Sequence, residues 1–274
     1  AVGYQAMSAN TTGAKNTAVG LNALDANTTG QRNTTIGYNT QTNSTTGNNN
    51  TTCGADTMVS LSTGHDNTAI GAFALNSIST GSNNVGVGNS ALEANTTASG
   101  NTAVGWLSQL KTTTGSGNIS VGQNTLKNIT TANYNTAIGN AVLENNTASN
   151  NTGVGYNVLY ANTTGARNTA LGHNALTANT TASDNTAVGQ ASLSANTTGT
   201  KNVAVGRNAL ATQTTTDDNT AVGYEALASN TTGANNTAVG SLALDANTTG
   251  QQNVAFGTGA LTSNTTANYN NAIG

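Results

Sequence analysis

Proline is absent from the 274 residues, charged side chains make up 6% of them, aromatics 4%, and there is one cysteine. Each shortage closes off a class of protein. A single thiol, Cys53, leaves no internal disulfide framework and no cysteine-built zinc site. Seven scattered lysines and arginines in a chain of net charge −3 do not make a nucleic-acid surface. No run approaches the ~18 consecutive apolar residues of a membrane-crossing helix, so no membrane insertion is expected. The opening Ala1-Val2-Gly3 carries no basic stretch followed by an apolar one, and no targeting signal is read there. At 35% apolar the chain would be disordered if it were also highly charged or rich in proline. It is neither, and Asn, Thr, Ala and 32 glycines fill it instead.

Those residues are arranged with a strict period. Gly3, Gly20, Gly37 and their successors to Gly139 are 17 apart; after one 16-residue step the series runs from Gly155 to Gly274. Fifteen of sixteen intervals are therefore 17 long, and the unit reads N-T-A-V-G-x-x-A-L-x-x-N-T-T-G-x-x. An apolar residue precedes every repeat glycine, as in Val2, Val19, Ile36, Cys53, Leu171 and Phe256. Leu or Met stands four residues after it in fourteen of sixteen units, Gln41 and Gln109 being the exceptions. Thr stands nine after it in fifteen units. The array covers 1–274 without a composition shift, which reads as one continuous domain and a segment of a longer fibre.

A 17-residue unit rich in Gly and Thr is too short for a helical pair and poor in helix formers. It suits a chain that coils once per unit. Thr17-Ala18-Val19 reads as a strand ending at a glycine able to take positive φ. Ala23-Leu24 reads as a second extended run, and Asn27-Thr28-Thr29-Gly30 as a corner. The expected fold is all-β, a parallel β-solenoid of about sixteen coils. Dry Val and Leu columns would fill it, with Cys53 as a buried small residue in the Val column. The Ala column on the other strand face would then pack against something else, a second chain among the options. One isolated coil cannot offset the entropy of ordering 17 residues, so stacking must supply the stability. The 16-residue unit, 140–155, lacks one Thr near Asn146, which predicts a tightened turn rather than a broken stack.

One column is Asn in every unit: Asn16, Asn33, Asn50, Asn67, Asn84, Asn101, Asn118, Asn135, Asn151, Asn168, Asn185, Asn202, Asn219, Asn236, Asn253 and Asn270. The expected role is a structural amide ladder or a turn that closes a corner. A second Asn column opens Asn-Thr-Thr at Asn10, Asn27, Asn95, Asn162, Asn179, Asn196, Asn230, Asn247 and Asn264. Each is formally a glycan acceptor, the competing reading being a turn that favours Asn and Thr.

The units Asn67-Thr68-Ala69-Ile70-Gly71 and Asn135-Thr136-Ala137-Ile138-Gly139 resemble the head repeats of trimeric autotransporter adhesins. Adhesin head units are shorter; the 17-residue unit from Asn16 to Arg32 is more similar to the arrays of bacterial tail-fibre-domain proteins and phage tail fibres. The resemblance spans the chain. It implies a β-roll fibre, often a homo-trimer, exposed on a cell or virion surface and used for attachment.

Little chemistry is read from the remaining residues. His65 and His173 fall in different columns. Asp25, Glu93, Glu144 and Asp245 share one column but mostly on separated coils. Lys15, Arg32, Arg167 and Lys201 share theirs with Asp66, Asp184 and Asp218, a solvated edge. No aspartate column suits calcium. No catalytic, metal or cofactor site is expected. Tyr4, Tyr38, Trp106, Tyr156 and Tyr224 follow the repeat glycine and read either as corner packing or as stacking platforms for surface glycans. The leading expectation is an extracellular fibre or adhesin shaft. A filament self-assembled by end-to-end stacking and an ice-binding solenoid using its Thr column are the alternatives. Ice binding would call for a strand-borne T-x-T, whereas the doubled Thr adjoins a turn glycine.

Overall fold

A computed structural model describes residues 1–274. It is all-β, with one three- to five-residue strand per repeat and no helix, hence no helix long and apolar enough to cross a membrane. Two compact units divide the chain, Ala1–Asn135 and Thr136–Gly274. The first holds β1 (Thr17–Val19), β2 (Thr34–Ile36), β3 (Thr51–Cys53), β4 (Thr68–Ile70), β5 (Val85–Val87), β6 (Thr102–Val104) and β7 (Ile119–Val121). The second holds β8 (Thr136–Asn140), β9 (Thr152–Tyr156), β10 (Thr169–Leu171), β11 (Thr186–Val188), β12 (Val203–Val205), β13 (Thr220–Val222), β14 (Thr237–Val239), β15 (Val254–Phe256) and β16 (Asn271–Ile273).

Within each unit every strand pairs in parallel with the next, and equivalent repeat positions face each other: Thr17 with Thr34, Thr220 with Thr237. Both units are parallel β-solenoids with a 17-residue turn. The repeat glycine is required where another turn packs on it. Gly20 has φ +133°, and a Cβ there would collide with the carbonyl of Gly37 one turn on.

Ala23-Leu24 is not a second strand. Residues 21–26 form consecutive turns in which left-handed residues alternate, Asn22 at φ 55° and Leu24 at φ 56°. The N–H groups of these two left-handed residues go to opposite neighbours. Asn22 donates to Tyr4 O at 3.0 Å in the preceding turn, and Leu24 to Thr40 O at 3.0 Å in the following one. A left-handed leucine costs roughly 1–2 kcal/mol. Full burial and the inter-turn bond hold it there.

The strand also faces the opposite way from the sequence expectation. Ala18, Ala69, Ala187 and Ala221 point inward and are buried, whereas Val19, Ile36, Ile70 and Leu171 point outward and are 40–46% exposed. The opposite wall supplies the reason. Its leucines reach across the coil so far that a Cβ added at Gly86 would lie 3.3 Å from Cγ of Leu75. Only Ala, Gly, Ser or Thr fits the strand's inner position, and the larger β-branched residue is left outside. Cys53 shares that outward position and is exposed, not buried.

Two turns of the first unit fill their interiors with polar side chains. Gln41 accepts from Thr35 Oγ1 at 3.1 Å and donates to Ser44 Oγ at 3.2 Å. Gln109 donates to Ser120 Oγ at 2.9 Å and to Thr102 O at 3.0 Å. The shortened repeat keeps its place in the stack. Asn146 Nδ2 closes its turn on Ala148 O, two residues on, where Asn27 closes on Gly30 O three residues on. β8 and β9 stay paired from Thr136–Thr152 through Asn140–Tyr156.

Candidate functional site

The residues with the most regular chemistry form the all-units Asn column, and they make a ladder. Asn33 donates its main-chain N–H to Asn16 Oδ1 at 2.9 Å. Its Nδ2 bonds Gly47 O at 2.8 Å, and its own Oδ1 accepts from Asn50 N at 3.0 Å. The same pattern runs to Asn135 in the first unit and from Asn151 to Asn270 in the second. The main-chain carbonyls join in, Asn33 O accepting from Thr17 N at 2.8 Å. The position needs a donor and an acceptor on one short side chain, which among the twenty only Asn supplies at this length. Asp would bury a charge and lose the donor.

The Asn-Thr-Thr asparagines are not placed to carry sugars. Asn27, Asn95, Asn162, Asn179, Asn196, Asn230 and Asn247 are fully buried, and Asn10 and Asn264 partly so. In the second unit their amides form an inner ladder. Asn162 Nδ2 reaches Asn146 Oδ1 at 2.7 Å, Asn179 reaches Asn162 at 2.8 Å, and Asn247 reaches Asn230 at 2.9 Å. Each of these nitrogens also closes its own turn, as Asn179 does on Ala182 O at 3.0 Å. A glycan on such a nitrogen would have to occupy the interior. The sequence shows the column but not its direction. The signal lay in its substitutes, Leu61, Ile78 and Ile129, which are core residues.

The doubled threonines divide their work. Thr28 N, Thr29 N and Thr28 Oγ1 converge on Thr45 O at 2.9, 3.2 and 3.0 Å, and the arrangement recurs at Thr163 and Thr180. The first Thr therefore spends its hydroxyl on the next turn, while the second is exposed.

On the outward strand face lie two ranks that sequence reasoning assigned to the core or left aside. One carries Thr17, Thr34, Thr51 and their equivalents; the other carries Val19, Ile36, Cys53 and theirs. No charged residue occurs in either rank of either unit.

Two tyrosines of the column beside the glycine meet a neighbour along the stack. Tyr156 and His173 stack with centroids 5.3 Å apart and planes 14° from parallel. Arg207 lies 5.9 Å from the centre of the Tyr224 ring. One face of each tyrosine is thus taken by its neighbour.

Some of the exposed charged groups pair locally. Arg167 Nε and Nη2 bond the Asp184 carboxylate at 2.6 and 2.9 Å. That hydrogen bond is the main reason the Asp184 carboxyl lies below its ordinary value and the Arg167 guanidinium above. His65 Nδ1 lies 2.7 Å from Asp66 Oδ2 and lowers the Asp66 carboxyl in the same way. Asp25 bonds Ser8, and Asp245 accepts from Thr262 at 2.6 Å. No group of three or more His, Cys, Asp or Glu comes together in a metal-binding arrangement. Comparison of the chain with known protein families and with curated proteins gives no match.

Proposed function

We propose that the chain is the shaft of an extracellular fibre or adhesin, structural rather than catalytic. The observation that carries this reading is the unbroken Asn ladder within each unit, Asn16 to Asn135 and Asn151 to Asn270. One column per repeat is spent wholly on holding turn to turn, and Ala, Leu and Asn columns close the core of most turns from a single chain. The resemblance of Asn67–Gly71 and its equivalents to adhesin and tail-fibre repeats supports placement on a cell or virion surface.

Immunogold electron microscopy of intact source cells and virions, with antibody raised against residues 1–274, tests the proposal. Label on surface filaments is the expected result. Label confined to the cell interior overturns it.

A further inference from the structure

We infer that the outward strand face of the second unit binds ice, through a rank of threonine hydroxyls beside a rank of aliphatic methyls. The inference stands apart from the shaft reading and uses a different surface from the doubled threonines; its strands read Thr-x-Val rather than T-x-T, an aliphatic rank standing in place of the second hydroxyl rank. Along β8 to β15 the first rank is Thr or Val and the second Ile, Val, Leu or Phe, with no charge in either. Register keeps the ranks in line: Thr169 pairs with Thr186, Val203 with Thr220, and Thr220 with Thr237. Neighbours within a rank are then about 4.8 Å apart, and the two ranks, two residues apart along each strand, about 6.6 Å. The side chains are β-branched almost throughout and therefore stiff at χ1, so little entropy is lost when the face is engaged.

The hydroxyls decide between occupants. Those of Thr163, Thr180 and Thr197 at the turn are spent on carbonyls of the next coil. Those of Thr169, Thr186, Thr220 and Thr237 bond nothing within the chain. Packed with parallel stacks against the same face of a second copy, they would be buried opposite methyls. Each unpaired hydroxyl would then cost about 1–3 kcal/mol. An ice surface offers what this face lacks, a repeating lattice of uncharged donors and acceptors. The adjoining methyls hold an ordered water shell of their own. Many weak contacts at one fixed repeat then act together.

The test uses the chain of 274 residues in ice-affinity partition and thermal-hysteresis measurements, alongside three variants. Val205→Lys puts a charge in the aliphatic rank, and Thr220→Tyr lifts a bulky ring out of the level of the hydroxyl rank without a charge. Thr198→Lys, at the exposed turn threonine, is the control. Circular dichroism establishes that each variant is folded, and Thr220→Tyr carries the test if Val205→Lys is not. Enrichment of the parent chain in ice, lost to the buffer baseline in the strand-face variants and kept in Thr198→Lys, supports the inference. Exclusion of the parent chain from ice overturns it, as does full activity in a folded strand-face variant. A sedimentation mass that is a multiple of 27.1 kDa and drops with Val205→Lys also overturns it. That result would name a second copy as the occupant.

Discussion

Cys53 stands in register with Ile36 on adjoining strands, and both side chains point away from the core. The folded protein is therefore expected to react with a thiol reagent as fast as a small exposed thiol does, without denaturant. The check is the rate of maleimide or disulfide-reagent labelling, native against unfolded. A native rate slowed by orders of magnitude would put the thiol inside and reverse the orientation of the whole strand.

Phe73 shows where strain is stored. It is 43% exposed and left-handed, φ 60°, in a column where Asn22 and Asn39 are also left-handed and bonded to each other at 2.9 Å. Asn tolerates that backbone better than a bulky residue. Phe73→Asn is expected to raise stability by about 1 kcal/mol, read as a higher urea midpoint. A lower midpoint would mean that the ring earns more from packing than the backbone loses.

Acid should matter only at the low end. The Asp66 and Asp184 carboxyls lie below their ordinary value of 3.8 in the fold, held down chiefly by hydrogen bonds from His65 and Arg167. A depressed folded value gives stability that is complete above the unfolded value and fades as pH falls through the folded one. The thermal midpoint is expected to stay level from neutral pH to roughly 4 and to fall below it, less steeply in Asp184→Asn. Both pairs are exposed, so the effect is small and salt weakens it. A midpoint that moved strongly between pH 5 and 8 would contradict this assignment.

Period and composition made much of the fold legible. The glycine spacing gives the 17-residue turn, and the one invariant Asn column gives the ladder. Direction was harder to read. In Thr17-Ala18-Val19 the larger residue looks like the core residue, and alternation alone does not say which face is inside. What decides is the length of the leucines opposite, a fact of the coil's width rather than of the strand. The Asn-Thr-Thr column left two readings open for a related reason: an acceptor motif looks the same whether its amide points out or in. Its apolar substitutes, Leu61 and Ile78, carried the answer. The left-handed backbone at Leu24 had no legible signal, since Leu disfavours it and tertiary bonds impose it; at Asn22 the residue type itself tolerates it.

The central claim is that the Asn ladder holds turn to turn, and Asn185 tests it most directly. Its N–H donates to Asn168 Oδ1 at 3.0 Å, its Nδ2 to Gly199 O at 2.8 Å, and its Oδ1 accepts from Asn202 N at 2.9 Å. Asn185→Ala leaves the Gly199 carbonyl and the Asn202 amide without those partners inside the coil. Each loss costs about 1–3 kcal/mol, on the order of 4 kcal/mol together. Thr186→Ala, one residue on and outward-facing, should stay within about 0.5 kcal/mol of the parent. The measurement is urea unfolding of the parent and the two variants. A large loss confined to Asn185→Ala is the predicted result, and equal small shifts in both variants would contradict the ladder.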